Sequence, residues 1–183
     1  EDILDNTFRG CKKSNIKYKG VLYLGLIKTF DGVSGFSLIE YNARWGDPEA
    51  QVVLPGISNY TEVVESCIAG ELSYVEVKKD DKFRVCVVGA SKGYPNDYSE
   101  VVGKEIFGLE EVMKLESIRV YGAGVKITDG RFYADGGRLF SVVGEGSSLA
   151  EAREKTYDAF ERISIDGDNL HHRTDVACVD PFV

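Results

Sequence analysis

The longest uninterrupted apolar run in the chain, Val21 to Ile27, is seven residues. A bilayer-spanning helix needs roughly 20, so no transmembrane helix is expected. The same run is long enough for one strand, and its aliphatic and aromatic content reads as a strand buried on both faces. Asp31-Gly32 follows as a turn signal, and Gly35 to Asn42 reads as a second strand paired with the first in a hairpin.

Around this hairpin the periodicity alternates between helix and strand. Ile3, Leu4, Thr7, Phe8 and Cys11 carry helical spacing from residue 3 to about 14. Asn42 to Pro55 is dense in polar and turn-forming residues and reads as a structured site loop leading into a short helix. Ser58 is placed to cap a helix reaching about Gly70, with Val63, Val64, Cys67 and Ile68 on its buried side. Charge rises and apolar content falls over Glu76 to Lys82, which sets an expected boundary between domains at 1–77 and 78–183. Beyond it, strands are expected at Phe83 to Ala90, Ser117 to Lys126, Arg131 to Ala134 and Arg138 to Gly144. The short turns Asp129-Gly130 and Gly136-Gly137 favour antiparallel meanders. Ser148 followed by Glu151 is a capping box, and Leu149, Ala152, Thr156, Phe160 and Ile163 form one stripe of a final helix. The tail after Gly167 reads as irregular. The fold class is therefore α+β: an antiparallel sheet with helices, then a small mixed or antiparallel β domain with a packed helix.

Charge excludes one class of partner. Thirty acidic residues against 22 basic ones leave a net charge of −8, with the basic residues scattered, so a nucleic-acid backbone binder is not expected. The four cysteines, Cys11, Cys67, Cys86 and Cys178, form no Cys-x-x-Cys pair, and the only two histidines, His171 and His172, are adjacent. A zinc site has no support, and reduced thiols make the cytoplasm the default compartment. The start, Glu1-Asp2-Ile3, lacks both an initiator Met and a basic segment before an apolar one. The chain is accordingly expected to be a fragment.

The residues best placed for chemistry are Glu40, Asn42 and Arg44, at the end of the second strand. Side chains alternate along a strand, so Glu40 and Asn42 share a face, and Arg44 joins them if the extended backbone persists. A carboxylate and an amide oxygen are hard ligands suited to Mg²⁺, and a guanidinium beside them can hold a phosphate or carboxylate bidentately. The bland alternative is the wet side of an antiparallel sheet. Against it, Phe36 and Leu38 lie by alternation on the same face, which would then be apolar until its rim. Spacing alone leaves both readings open.

The stretch Leu38-Ile39-Glu40-Tyr41-Asn42-Ala43-Arg44-Trp45-Gly46-Asp47-Pro48-Glu49-Ala50-Gln51 closely resembles the signature near the end of the ATP-grasp domain in the phosphoribosylamine–glycine ligase family. Tyr18 to Leu26 is similar to the strand preceding that signature. Ala90 to Tyr98, Ala123-Gly124-Val125-Lys126, Gly136-Gly137-Arg138 and Ser148 to Ala152 resemble motifs of the family's carboxy-terminal domain, in family order. Trp45, Ala50 and Lys92 depart from the residues usual at their positions.

The resemblance implies the back half of an ATP-grasp domain followed by the ligase's accessory domain. It further implies ligation of glycine to phosphoribosylamine with ATP cleaved to ADP and phosphate through glycyl phosphate. Glu40 and Asn42 would hold Mg²⁺ or Mn²⁺ against the ATP phosphates. Arg44 and Asp47 would act at the reacting groups, with Arg44, Asp47 and Glu49 contacting substrate. Asp47 is equally a candidate helix cap with Pro48 at the first helical position. Gly136 and Gly137 would leave backbone N–H groups open to the ribose phosphate, with Arg138 and Lys126 adding charge; read without the family, Gly-Gly is a plain hairpin turn. His171 and His172 are read as exposed or locally paired. The nucleotide-phosphate loop and adenine pocket are expected in a missing amino-terminal half, so this piece alone should not turn over. Two rival readings remain: another ATP-grasp ligase or purine-pathway carboxylase, and a non-catalytic half that docks on a separate ATP-binding chain.

Overall fold

The computed structural model describes residues 2–29 and 35–178. They divide into two compact units, one of Glu1–Asp47 with Ile57–Lys78, the other of Pro48–Gly56 with Lys79–Val183.

The first unit begins with helix α1 (Asp2–Lys13), whose last turn carries Lys12 and Lys13 where they complement the helix dipole. Its buried contact is Thr7, whose Oγ1 donates to the Ile3 carbonyl at 2.7 Å and shares a 2.8 Å hydrogen bond with the Tyr41 hydroxyl. Strands β1 (Tyr23–Thr29) and β2 (Gly35–Asn42) pair antiparallel as a two-stranded ribbon; the turn at Asp31-Gly32 lies outside the described residues. The expectation of a strand buried on both faces fails at β1. Leu26 and Ile27 are 46% and 53% exposed, because a ribbon with one partner strand has no second layer to cover both of its faces.

Helix α2 (Glu49–Val53) belongs to the second unit; helix α3 (Tyr60–Ala69) returns to the first. Its cap position is Asn59, one residue after the expected Ser58. The Asn59 amide donates to the Glu76 carbonyl and the Glu62 carboxylate while its Oδ1 accepts from Lys78 N–H. Asn59 thus ties the helix start to the end of the unit. Gly70 closes α3 in the left-handed conformation (φ 84°). Val64 and Ile68, expected on a buried side, are exposed.

The second unit contains β3 (Phe83–Ser91), β4 (Glu105–Phe107), α4 (Leu109–Val112), β5 (Ile118–Gly122), β6 (Val125–Thr128), β7 (Arg131–Ala134), β8 (Arg138–Gly146), α5 (Leu149–Phe160), β9 (Ser164–Ile165) and β10 (Leu170–His171). The expected single strand Ser117 to Lys126 breaks at Ala123-Gly124, and its two halves enter different sheets. One sheet has the order β10-β3-β8-β5, the other β6-β7-β4-β9, all antiparallel. A simple meander is thereby replaced: the chain leaves the first sheet after β5, makes the β6-β7 hairpin in the second, and returns as β8 between β3 and β5. The tail expected to be irregular supplies β10.

All the buried hydrophobic residues of the described chain lie in this second unit, from Val85 to Ile165. Helix α5 packs on the β3-β8 pair. The Ser148 Oγ caps its start by accepting from Glu151 N–H, and Ala152, Thr156, Ala159 and Phe160 form its buried face. Thr156, fully buried, is the polar joint: its Oγ1 donates within reach of the Val85 and Ala152 carbonyls (3.1 and 2.7 Å) and accepts from Gly144 N–H at 3.0 Å. At the far end of β8 the buried carboxylate of Glu145 is met by Lys82, Arg84 and Arg119 at 3.0, 3.3 and 2.9 Å. Burial pushes that carboxyl up, but the Lys82 and Arg119 hydrogen bonds and the Arg84 charge outweigh it and leave it below the usual glutamate value.

Candidate functional site

Glu40 and Asn42 are brought together as their spacing requires. The Asn42 Nδ2 donates to Glu40 Oε1 at 2.8 Å, at the open end of β2, with Glu40 exposed and Asn42 half-buried. The rest of that face differs from the expectation. In the β1-β2 register Gly25 opposes Glu40 but Leu26 opposes Leu38, which leaves Ile39 as an unmatched residue. This bulge reverses the alternation: Glu40 and Asn42 share a face with Ser37, while Phe36 and Leu38 fall with Tyr41 on the opposite side, toward α1. The expectation that Phe36 and Leu38 lie on the carboxylate's face is therefore corrected. Opposite Glu40 stands Gly25, where a Cβ would lie 3.0 Å from Glu40 Cγ, so the glycine makes room for that side chain.

Arg44 does not extend the row. The strand ends at Asn42, the chain bends at Ala43-Arg44, and the exposed Arg44 guanidinium donates from Nη1 to the Trp45 carbonyl at 2.6 Å. Trp45 turns inward and its indole N–H donates to the Tyr60 hydroxyl at 3.0 Å. Both rings line a cavity of about 460 Å³ in the first unit, with Leu22, Tyr23, Val63 and Cys67. Asp47 is exposed, two residues before the start of α2, and Pro48 stands between them. Glu49 is the first residue of α2 and half-buried.

In the second unit Gly136 and Gly137 are closely packed at their Cα atoms and bonded through their carbonyls. Gly137 is buried, and a Cβ on it would fall 2.3 Å from Tyr94 Cδ2; Gly136 lies against Gly124, where a Cβ on Gly124 would meet Gly136 Cα at 2.8 Å. The Gly136 carbonyl accepts from Ser91 Oγ and the Gly137 carbonyl from Ser91 N–H, both at 2.7 Å. Arg138 follows, exposed, at the start of β8. Lys126 is exposed on β6 opposite Tyr133, so it and Arg138 are carried by different sheets.

Among the described residues no group of three or more His, Cys, Asp or Glu side chains could hold a metal ion. His172 stacks on Phe160 at 4.6 Å, and burial with the neighbouring His171 lowers its pKa. No described helix is long and apolar enough to cross a membrane.

Residues 84–178 match the family described as Phosphoribosylglycinamide synthetase, C domain, and residues 1–50 match its ATP-grasp (A) domain. The chain belongs to the phosphoribosylamine–glycine ligase family. A phosphoribosylamine–glycine ligase of Caldanaerobacter subterraneus subsp. tengcongensis is 43% identical over 97% of this chain and 40% of the relative. One of Clostridium acetobutylicum is 37% identical over 96% and 40%. The crystal structure of phosphoribosylamine–glycine ligase from Thermotoga maritima matches with a TM-score of 0.72 and 32% identity over 92% of this chain and 40% of that one. The chain thus spans about two fifths of the length of these phosphoribosylamine–glycine ligases.

For a chain of the phosphoribosylamine–glycine ligase family, the two glycine-bearing turns were legible but their supports were not. Ser91, Gly124 and Tyr94 hold the Gly136-Gly137 turn from positions 12 to 46 residues away in sequence, and no spacing rule announces such a contact. The nearest signal was the Tyr94-Pro95 pair, which marks a turn but says nothing of what packs beneath it.

Proposed function

We propose that the intact protein joins glycine to phosphoribosylamine, with ATP cleaved to ADP and phosphate through glycyl phosphate, in purine biosynthesis. The observation that carries this reading is the convergence of Glu40 and Asn42 at one exposed strand end, immediately before the Arg44-to-Glu49 segment. The contact runs through the Asn42 amide nitrogen, and the two side chains it brings together each carry a hard oxygen suited to Mg²⁺ or Mn²⁺, which take few protein ligands and complete their shell with water and phosphate. Glu40 and Asn42 would hold such an ion, whose positive charge would offset that of the ATP phosphates.

The remaining roles fall to the chain's own groups. Arg44, exposed and held only by a neighbouring carbonyl, turns to the transferring phosphoryl group or to the acyl phosphate, where a charge-assisted bidentate contact is stronger than the one it leaves. Asp47 or Glu49 receives the glycine ammonium. In the second unit Arg138 and Lys126 supply the cations for the ribose phosphate. The nucleotide's other contacts belong to the portion of the family's length that this chain does not span. Four scattered cysteines with no Cys-x-x-Cys pair suit the cytoplasm as the setting.

The test is Glu40→Gln in the full-length protein. Metal-dependent ADP release with glycine and phosphoribosylamine should fall at least a hundredfold while the melting temperature holds, because Glu40 is exposed and supports no core. Activity within threefold of the parent removes the metal role.

A further inference from the structure

The turn that carries Arg138 is built from below. Ser91, the last residue of β3, has no exposed surface, and it binds both glycine carbonyls of the turn: Oγ donates to Gly136 and the backbone N–H donates to Gly137. From the other side Gly124 N–H donates to the Arg138 carbonyl at 3.0 Å, and the Gly124 carbonyl accepts from Asp135 N–H at 2.8 Å. The Tyr94 ring fills the space that a side chain at residue 137 would need. Just beyond, β8 is bulged: Gly89 opposes Phe140 but Ala90 opposes Arg138, which leaves Leu139 unmatched. Simple alternation would put Arg138 on the face of Phe140, inside the core. The bulge sends it to the other face and keeps both Leu139 and Phe140 buried. The face to which Arg138 belongs therefore depends on the turn staying in register, and Ser91 supplies a side-chain hydrogen bond to that turn.

We infer that Ser91 is a positioning residue for phosphoribosylamine: its buried hydroxyl fixes the Gly136-Gly137 turn in the geometry from which Arg138 meets the ribose phosphate. This rests on the phosphate role proposed above for Arg138. Ser91 touches no substrate and acts through the turn. Losing its hydroxyl leaves the Gly136 carbonyl without that donor and lets the turn relax, which misdirects a charge without removing it.

The test is made in the full-length ligase, with phosphoribosylamine generated in place from ribose 5-phosphate and ammonia. Ser91→Ala should raise the KM for phosphoribosylamine about tenfold and leave kcat and the KM for glycine and ATP within twofold. Arg138→Ala should raise the same KM further, and the double variant should be no worse than Arg138→Ala, since the hydroxyl works only through that arginine. Ser91→Cys, which keeps the volume and weakens the donor, carries the same measurement should the alanine variant fail to fold. An unchanged KM in the Ser91 variants with a raised one in Arg138→Ala overturns the inference, as does an additive double variant or a loss confined to thermal stability. An unchanged KM in Arg138→Ala overturns the phosphate reading itself.

Discussion

The two units solve the problem of burial differently. The second holds every buried hydrophobic residue of the described protein, and all but Ala90 and Val143 join one cluster. In the first, Leu4, Phe8, Leu26, Ile27, Phe36, Ile39 and Ile68 all remain substantially exposed. At roughly 25 cal/mol per Å² of apolar surface removed from water, the second unit has a driving force for folding that the first lacks. The same contrast holds for the polar residues. Those of the second unit are locked, as in Thr156 between α5 and β3-β8, whereas Glu40, Asn42 and Arg44 in the first are held by one or two exposed contacts. What the units share is the device that aims a charged side chain. Each carries a bulge next to it, Ile39 beside Glu40 and Leu139 beside Arg138.

The comparison breaks most visibly if the units are separated. Residues 79–183 alone, which hold every buried hydrophobic residue of the described chain, should unfold cooperatively on heating and give a near-ultraviolet circular dichroism signal; residues 1–78 alone should melt without a transition and bind an apolar dye. A cooperative melt of residues 1–78 would show that the exposed ribbon closes a core of its own. Within the intact chain, Phe140→Ala should cost about 3–5 kcal/mol by denaturant unfolding, as expected for a fully buried aromatic. Phe36→Ala, on the exposed ribbon, should stay within about 0.5 kcal/mol. Thr156→Val keeps the shape but leaves Gly144 N–H without its acceptor inside the core, for an expected loss of about 1–3 kcal/mol. Equal stability of that variant would mean that the joint between helix and sheet is apolar packing alone.

The smallest effect is a pH dependence. The Arg84 guanidinium beside Asp80 holds that carboxyl down to about 2 from an ordinary 3.8. Because the folded value is the lower one, the contribution is complete above about pH 4 and disappears as pH falls toward 2. Asp80 is partly exposed, so solvent screens the pair. A shallow fall in melting temperature across that window is expected, flatter in Asp80→Asn. An identical slope in the variant would assign the fall to other carboxylates, Glu145 first among them.

Much of this was written locally in the chain. The helical stripe of α1, the Ser148-to-Glu151 cap of α5, the β6-β7 hairpin at Asp129-Gly130 and the pairing of β1 with β2 all follow from periodicity or turn chemistry within a few residues. The convergence of Glu40 and Asn42 does too, since a spacing of two on a strand puts side chains on one face where no bulge falls between them. The elements missed, β4, α4, β9 and β10, are two to four residues long, too short for a period to register, and the three strands among them exist only as partners of β7, β4 and β3.

Which residues of a strand face which way past its first irregularity belongs to the tertiary structure. Alternation is a property of one chain, but a bulge is a mismatch between two. Phe36 and Leu38 could not be assigned a face until β1 was laid against them, nor Arg138 until β3 was. Arg44 depended on whether extension continued past Asn42, which the bend and the inward turn of Trp45 decided. Gly136-Gly137 announced a turn by composition; that its missing side chains are filled by Tyr94 and Gly124 was settled by packing across the fold. The sequence by itself determined the kinds of element and the family to which they belong, because those depend on local sterics and hydrogen bonding. The aim of each charged group was decided by the strand or ring packed against it.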